Sequence, residues 1–410
     1  MNLILSRRII SVLALIIGIS CSGPKKVIFE EDVDTSNKPI LFQTKKTYHL
    51  NPANVWLSNE FDAARLGHAK MVNDSVIKLS IFPENTPINK SPYYAFKVWA
   101  GTSTTMYFEF EYPDGFKHRY IPKIKTGQLW SKADTLDFHT TKKGALLKLN
   151  IEKEPKIVAA QEINSSSDVH NWYSENIIKG NEAFVKEHSA GKSVLGRNIP
   201  VLDITYGSRK NKPLIILMTR QHPPEVTGYF AYQHFLKTIV EDNELSKAFL
   251  NKYRVLAFPL VNPDGVDLGH WRHNVNGVDL NRDWSRYIQP EVMKVVSYIT
   301  RTSKKDNNEI VLGLDFHSTY EDVFYTNQKR EGTTLPNFIK DWFVALEKNI
   351  PGYKVNEAAG NSTKPVSKGW FLYGHNATGI TYEIGDNTPK DRIEEIGRKS
   401  ARAMMDLLVY

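Results

Sequence analysis

Cysteine is nearly absent from this chain, which has one, Cys21, among 410 residues. A chain with a single cysteine forms no internal disulfide, so the fold must depend on core packing and on any metal that it binds. Long runs of one charge are also absent, because the net charge of +8 is scattered over apparent loops. This pattern predicts a solvated surface and excludes a nucleic-acid partner.

The first twenty residues differ from the rest. Arg7 and Arg8 precede an apolar run that ends at Cys21 and is too short to span a bilayer comfortably. The stretch GISC resembles a bacterial lipobox, so we interpret residues 1–20 as a lipoprotein signal peptide and Cys21 as the lipidated residue. This predicts a protein on the periplasmic side of the bacterial envelope, with the lipid as its only membrane contact. The alternative is an ordinary cleaved signal beside an accidental cysteine.

The remaining chain divides into three regions. Residues 21–45 are polar and carry EEDVD, which predicts a tether. Residues 46–160 contain short alternating runs such as TTMYFEFEYPDG, which predict an antiparallel β-sandwich. Residues 161–410 alternate continuous apolar runs such as PLIILMTR with amphipathic helical stretches. That alternation predicts an α/β/α domain with a mostly parallel mixed sheet, and Asp168 is a candidate N-cap for its first helix.

Side chains that bind metals follow two of the predicted buried strands. His222 and Glu225 come after PLIILMTR, and the two prolines between them stiffen the turn. His317 lies at the carboxyl end of IVLGLDF. Because ligands of open α/β sheets collect at the carboxyl ends of strands, we predict that these three residues bind one metal. Three nitrogen and oxygen ligands with one open position are typical of a catalytic zinc.

Other histidines fit this role less well. His270 and His273 form an H-x-x-H pattern, but they flank a loop rich in Asn and Gly. His234 lies in a predicted amphipathic helix, where a partly buried histidine usually has a structural role.

The motifs QHPPE, NPDG, GVDLNRDW, DFHS and GITYEIGD occur in an order that resembles the zinc metallocarboxypeptidases, the carboxypeptidase A-like family. The resemblance covers about residues 170–410, and five ordered motifs are far more specific than one H-x-x-E. The β-rich region, especially YYAFKVWAG, is similar to the small first domain of the cytosolic carboxypeptidase subfamily. The resemblance implies one zinc ion per chain, bound by His222, Glu225 and His317.

The resemblance also implies roles for five further residues. Glu383 would be the general base that accepts a proton from the attacking water and passes it to the leaving amine. Asn281 and Arg282 would bind the terminal carboxylate of the substrate, and Arg272 would stabilise the oxyanion. Lys368 would line the specificity pocket, where an ammonium favours an acidic C-terminal side chain.

Structural alternatives apply to three of these residues, because Glu383, Arg272 and Lys368 could instead be surface or loop charges. The sequence departs from the pancreatic-type pattern at one point. Asn361 stands where those enzymes carry a tyrosine on a flexible loop, so the resemblance does not extend to a catalytic phenol.

The leading hypothesis is a zinc carboxypeptidase that removes a C-terminal residue, preferably acidic, through a peptide or isopeptide bond. A second is a peptidoglycan stem-peptide carboxypeptidase or amidase that acts on muropeptides. A third is an envelope binding lipoprotein without activity, which would predict a missing ligand or base, and none is missing. Metal-dependent deacylases of N-acyl amino acids share the same ligand types, but the pairing of Asn281 with Arg282 is an argument against them.

Overall fold

Short alternating segments build the first domain in the computed structural model, which describes residues 24–142 and 144–410. The strands are β1 (Thr47–Leu50), β2 (Val55–Ser58), β3 (His68–Asn73), β4 (Val76–Ser80), β5 (Ala95–Ala100), β6 (Thr104–Glu111), β7 (Lys123–Thr126), β8 (Leu129–Lys132), β9 (Phe138–Thr140), β10 (Gly144–Ile151) and β11 (Lys156–Ala159). They form two sheets, of order β1-β2-β5-β11-β7-β8 and β3-β4-β6-β10-β9. Among these strands only β4 and β6 pair in parallel, and the other pairs are antiparallel.

The alternation of side chains in these strands explains why the two sheets pack together. In β6, Met106, Phe108 and Phe110 are buried, while the residues between them face outward. Residues of both sheets share one hydrophobic core. This is the expected consequence of a period of two residues in a strand with one buried face.

The second domain contains an eight-stranded mixed sheet of order β12-β13-β15-β14-β16-β19-β17-β18. Its strands are β12 (Val185–Lys192), β13 (Asn198–Ile204), β14 (Leu214–Thr219), β15 (Arg254–Phe258), β16 (Ile310–Thr319), β17 (Val323–Thr326), β18 (Glu357–Ala359) and β19 (Thr378–Gly385). The central strands β15, β14, β16 and β19 run parallel to their neighbours within that group. Every residue of β14 is buried, as the continuous apolar run predicts.

Helices cover both faces of this sheet. They are α1 (Ser166–Tyr173), α2 (Val226–Ile239), α3 (Glu244–Lys252), α4 (Pro263–Asp267), α5 (Pro290–Asp306), α6 (Phe338–Asn349), α7 (Ser367–His375) and α8 (Lys390–Val409). One core joins the sheet to α2, α3, α6 and α8, and a second core joins the opposite face to α5 and α7. The predicted architecture, a β-sandwich followed by an α/β/α domain with a mixed sheet, is confirmed.

The start of α1 differs from the prediction. Ser165, not Asp168, is the N-cap, because the Ser165 side chain accepts a hydrogen bond from the Asp168 backbone N–H. Asp168 is the third helical residue, and its carboxylate accepts a hydrogen bond from the Ser165 backbone N–H at 2.9 Å. The two residues form a capping box, which the serine-rich sequence does not distinguish from a single aspartate cap.

The segment predicted as a tether lies against the fold where the structure describes it. Residues 24–45 have no helix or strand, but Thr35 Oγ1 donates to Asp283 Oδ1 at 2.6 Å and the Glu31 N–H donates to Thr363 O at 2.8 Å. Cys21, the predicted lipidation site, lies outside the described residues. Within those residues, no helix has both the length and the apolar character needed to cross a membrane.

Trp271, in the loop after α4, joins the two domains. Its side chain is fully buried in the core of the β-sandwich, where its ring centroid lies 5.2 Å from that of Phe116 and 6.2 Å from that of Tyr112. The second domain therefore supplies part of the first domain's core. The residue that follows, Arg272, is held at the boundary between the domains.

Candidate metal centre and substrate cleft

His222, Glu225 and His317 meet at one edge of the sheet. His222 and Glu225 lie in the turn between β14 and α2, and His317 lies near the end of β16. His317 Nδ1 is 3.2 Å from His222 Nδ1 and 2.6 Å from Glu225 Oε2, and His222 Nδ1 is 2.9 Å from Glu225 Oε1. One ligand atom from each residue lies within 4.8 Å of the others, and all three side chains are buried. These atoms converge as the ligands of a single ion would.

A glycine in α2 permits this convergence. A Cβ atom on Gly228 would lie 2.0 Å from the backbone oxygen of His317, so α2 packs directly on β16 at the ligand. Sequence reasoning missed this residue. A glycine three positions after Glu225 in an amphipathic helix is the available signal, since close packing against a neighbouring element is one reason for glycine inside a helix.

The outer nitrogen of each histidine lies beside a carboxylate. His222 Nε2 is 2.9 Å from Asp279 Oδ1, and His317 Nε2 is 2.8 Å from Asp315 Oδ2. The hydrogen bond with Asp279 fixes the ring orientation of His222 and directs its other nitrogen at a metal. The Asp315 carboxylate lies close to the His317 ring, but His317 Nε2 has no well-aligned hydrogen bond among the described residues. Two inward Nδ1 atoms and one carboxylate are a suitable donor set for zinc. The residues present therefore fit this ion.

The charges around His317 also favour a cation. Burial alone would lower the pKa of His317, but the carboxylates of Asp315 and Glu225 raise it well above its usual value. In turn, the two histidines hold the pKa of Glu225 well below its usual value despite its burial. The site therefore stabilises positive charge at the point where the three ligand atoms meet.

Glu383 lies next to the metal centre on the adjacent strand. Its Cα is in register with that of His317 in the β16–β19 pair. Glu383 Oε2 is buried and has no hydrogen-bond partner among the described residues. Burial, and then the negative charge of Glu225, raise the pKa of Glu383. A carboxyl group of this kind, free of partners beside a metal site, is suited to proton transfer.

Asp279 organises the cationic side of the site. It accepts a hydrogen bond from Arg272 Nε at 2.8 Å and one from the backbone N–H of Asn281 at 2.9 Å. Arg282 Nη1 lies 3.9 Å from Asp279 Oδ2 and donates to Asn281 O at 2.8 Å. Asp279 lies in the motif GVDLNRDW, and its role was not predicted from the sequence. Its position two residues before Asn281 is the only signal that the sequence offers.

Lys368 is buried at the start of α7, so it is not the solvated loop lysine of the structural alternative. Its Nζ donates to Thr326 O, Asn327 Oδ1 and Gly360 O, at 3.1, 3.1 and 2.6 Å. Each acceptor is neutral. Burial lowers the pKa of Lys368 to about 8.

The eight residues predicted to bind metal, bind substrate or act in catalysis all line one cleft of about 380 Å³. Asn361 lies outside its lining; the Asn361 side chain accepts a hydrogen bond from the Lys329 N–H at 3.0 Å. A phenol does reach the cleft, from Tyr325 on β17, which sequence reasoning missed. Alternation along VFYT is the signal, because it places Phe324 in the core and Tyr325 on the other face.

The alternative histidine pair does not join this cleft. His273 Nδ1 lies 2.7 Å from Asn85 Oδ1 of the β-sandwich, and His270 Nδ1 lies 3.0 Å from His273 O. Between them, the buried carboxylate of Glu84 accepts hydrogen bonds from the backbone N–H groups of Trp271, Arg272 and His273, at 2.8, 3.0 and 2.7 Å. These contacts connect the β-sandwich to the loop that carries Arg272.

Comparison with known proteins relates the second domain to zinc carboxypeptidases. The family model described as zinc carboxypeptidase (Peptidase_M14) matches residues 171–403. Cytosolic carboxypeptidase 2 of Xenopus tropicalis is 28% identical over 179 residues, which are 41% of this chain and 18% of the relative. Human cytosolic carboxypeptidase 6 is 28% identical over 162 residues, 37% of this chain and 32% of the relative. The chain thus spans less than a third of either relative.

Solved structures show the same fold over nearly the whole chain. A metallo-carboxypeptidase from Burkholderia cenocepacia has a TM-score of 0.71 at 16% identity and covers 87% of this chain and 99% of its own. A metallo-carboxypeptidase from Pseudomonas aeruginosa, in complex with (2-guanidinoethylmercapto)succinic acid, has a TM-score of 0.69 at 18% identity and covers 86% and 98%. The arrangement of a β-sandwich before the α/β/α domain is therefore shared with these proteins.

Proposed function

This chain belongs to the zinc carboxypeptidase family, and on that premise we propose that it hydrolyses the C-terminal peptide bond of peptides. One observation carries the proposal. A single cleft combines a zinc-type ligand set, a carboxyl group whose Oε2 has no hydrogen-bond partner in the described part of the chain, and cations suited to a terminal carboxylate. An endopeptidase has no need of that last group, because its substrates lack a carboxylate next to the scissile residue.

Two residues of the cleft, Asn281 and Arg282, are arranged to orient the substrate. The side-chain oxygen of Asn281 accepts a hydrogen bond from the Ser367 N–H at 2.9 Å, so its amide group remains to donate. Arg282 is the most exposed of the three arginines that line the cleft, and a planar guanidinium binds a carboxylate through two parallel hydrogen bonds. Together these two residues hold the terminal carboxylate, which places the last peptide bond at the metal ligands.

Proton transfer and oxyanion stabilisation follow from the neighbouring groups. Bound zinc would polarise the scissile carbonyl and lower the pKa of water. Glu383 accepts the proton of the attacking water on its carboxylate and delivers it to the leaving amine. Arg272, whose Nη1 lies 3.9 Å from Glu225 Oε1, places positive charge where the oxyanion develops.

We propose further that the C-terminal side chain is acidic. Lys368 lines the cleft, and the three oxygens that its ammonium contacts are all neutral. These three oxygens take the three N–H donors of the ammonium, but no carboxylate among the described residues neutralises its charge. That charge attracts an anion, since the local dielectric constant is low. The substrate class proposed is therefore peptides that end in Glu or Asp, with muropeptides as the second candidate. The envelope location proposed for the protein depends on residues 1–21 alone.

The test is incubation of zinc-loaded protein with peptides of varied C-terminal residue and with purified muropeptides, followed by mass spectrometry. We expect loss of one C-terminal residue, inhibition by a chelator and recovery with added zinc. Glu383→Gln should keep stoichiometric zinc by elemental analysis and lose at least about a hundredfold in kcat, the scale of general-base catalysis. Protein that holds zinc but releases no residue from any substrate would contradict the proposal.

A further inference from the structure

The β-sandwich supplies one wall of the substrate cleft. Asn89, Ser91 and Arg119 belong to loops of the first domain, yet they line the same cleft as His317 and Glu383. The second domain therefore does not enclose its own substrate site. Among these three side chains, only Arg119 carries a charge.

Arg119 is fixed in place by contacts on several sides. Its Nε donates to Asp386 Oδ2 at 2.8 Å, and its Nη1 donates to Ser91 Oγ at 2.6 Å. The guanidinium carbon lies 4.6 Å from the ring centroid of Tyr320 and 5.0 Å from that of Tyr120. The side chain is only 8% exposed. An arginine bound in this way keeps its remaining donor in a defined position.

That remaining donor is Nη2. It is buried and has no hydrogen-bond partner among the residues that the structure describes. The hydrogen bond from Nε to Asp386 is explained by the contact between the two domains. That contact gives no reason for Nη2 to be buried without an acceptor. Unpaired buried polar groups are rare in folded proteins, and a functional site is one of the recognised reasons for them.

The position of Arg119 relative to the other polar residues of the cleft indicates which part of a substrate it meets. Arg272, Asn281 and Arg282 are gathered around Asp279, whereas Arg119 is held by Asp386, three residues beyond Glu383. A peptide whose last carboxylate lies at Arg282 and whose last peptide bond lies at the metal ligands must extend its other residues away from Arg282. The wall formed by the β-sandwich is available to receive them.

We propose that Arg119 is a substrate-binding residue, whose Nη2 donates a hydrogen bond to a backbone carbonyl of the peptide on the N-terminal side of the scissile bond. This inference rests on the proposed carboxypeptidase function. It assigns the β-sandwich a direct part in binding: the first domain recognises the length of the substrate, while the second performs the hydrolysis.

The test compares peptides of two to five residues that share one C-terminal residue. For the wild type, kcat/KM should rise with length by roughly tenfold to a hundredfold, the range for a hydrogen bond from a charged donor. Arg119→Met should lose this rise. Arg119→Lys should also lose the rise of kcat/KM with length. Its single ammonium can still pair with Asp386, but no second nitrogen remains to bind the peptide. Thermal unfolding and zinc content would be measured for each variant.

The matched control is Lys132→Met. Lys132 Nζ donates to Asn387 O at 3.1 Å, so this variant removes another link between the domains at the same loop without touching the cleft. Its length dependence should equal that of the wild type. Two results would overturn the proposed role of Arg119 and leave the proposed carboxypeptidase function intact. In the first, Arg119→Lys lowers kcat/KM by the same factor at every peptide length. In the second, Arg119→Lys keeps the length dependence of the wild type. Failure of the wild type to cleave any peptide would overturn the proposed function together with this inference.

Discussion

Lys368 is the residue whose charge decides the proposed preference for an acidic C-terminal side chain. Lys368→Met removes the ammonium and keeps most of the side-chain volume. We expect kcat/KM to fall by about tenfold or more for Glu-ended peptides relative to Ala-ended peptides, equivalent to about 1.4 kcal/mol of lost discrimination. The control is Lys364→Met, four residues earlier, whose 52% exposed side chain lies 3.8 Å from Glu31. Equal ratios in wild type and Lys368→Met would remove Lys368 from the specificity pocket.

The same residue predicts a dependence on pH. Burial lowers the pKa of Lys368 to about 8, so the ammonium is charged below about pH 8 and neutral above it. The ratio of kcat/KM for Glu-ended to Ala-ended peptides should therefore be highest below pH 8 and decrease as the pH rises through that value. Because kcat/KM reports the free enzyme, the profile should show this pKa directly. The ratio measured for Lys368→Met should not vary with pH over the same range.

Single residues also show where reading the sequence succeeds. The meeting of His222, Glu225 and His317 could be predicted because the first two follow β14 and the third lies near the end of β16, and the sequence identifies both strands by their continuous apolar runs. Asp279 was not predictable in its role, because its contact with His222 depends on how a 57-residue separation closes in space. A carboxylate that hydrogen-bonds to a metal-binding histidine stands at no fixed distance from it in the sequence, so no motif identifies it.

At the scale of elements, the loop that carries Arg272 depends on the β-sandwich. The buried carboxylate of Glu84 accepts three consecutive backbone N–H groups of that loop. Glu84→Gln replaces one acceptor oxygen with an amide that cannot accept. We expect a loss of stability of about 1–3 kcal/mol, the cost of an unsatisfied buried donor, and a larger effect on kcat than on KM as Arg272 moves. Chemical denaturation and steady-state kinetics would measure the two effects.

A suitable control for that prediction is Glu60→Gln, since Glu60 is exposed and accepts a hydrogen bond from Thr47 Oγ1 within the first domain. Glu60→Gln should change neither the free energy of unfolding nor kcat measurably. If Glu84→Gln left kcat unaltered, then the loop would hold Arg272 in position without the carboxylate, and the β-sandwich would have no part in orienting that arginine.

Elements differ in how far the sequence predicts them. The strands and helices of the second domain follow from period and burial, and their α/β/α arrangement is the one expected. The parallel β4–β6 pair and the contact of α2 with β16 at Gly228 were not predicted. Both are set by neighbours distant in the chain, and side-chain periodicity within a segment carries no information about them.

At the scale of the whole molecule, the two domains are not independent units. The change in pattern near residue 160 predicts a boundary between two domains, but the sequence gives no sign that Trp271, which lies beyond that boundary, completes the core of the β-sandwich. Tryptophan in a loop rich in polar residues has no periodicity to reveal its partner. The substrate cleft also depends on both domains, because residues of each domain line it.

Trp271→Ala tests this coupling. Removing a fully buried tryptophan should cost about 3–5 kcal/mol, because the cavity left in the β-sandwich cannot collapse completely. We expect the β-sandwich to unfold at lower denaturant concentration than the second domain, and kcat/KM to fall because Arg272 is the next residue. Trp99→Ala provides the control, since Trp99 is only partly buried and stacks with Trp56 on the first domain alone, with ring centroids 6.2 Å apart. That variant should destabilise less and leave kcat/KM unchanged. A Trp271→Ala protein that unfolds at the wild-type midpoint would mean that the ring does not hold the domains together, and the contacts at Glu84 and Arg119 would then have to do so.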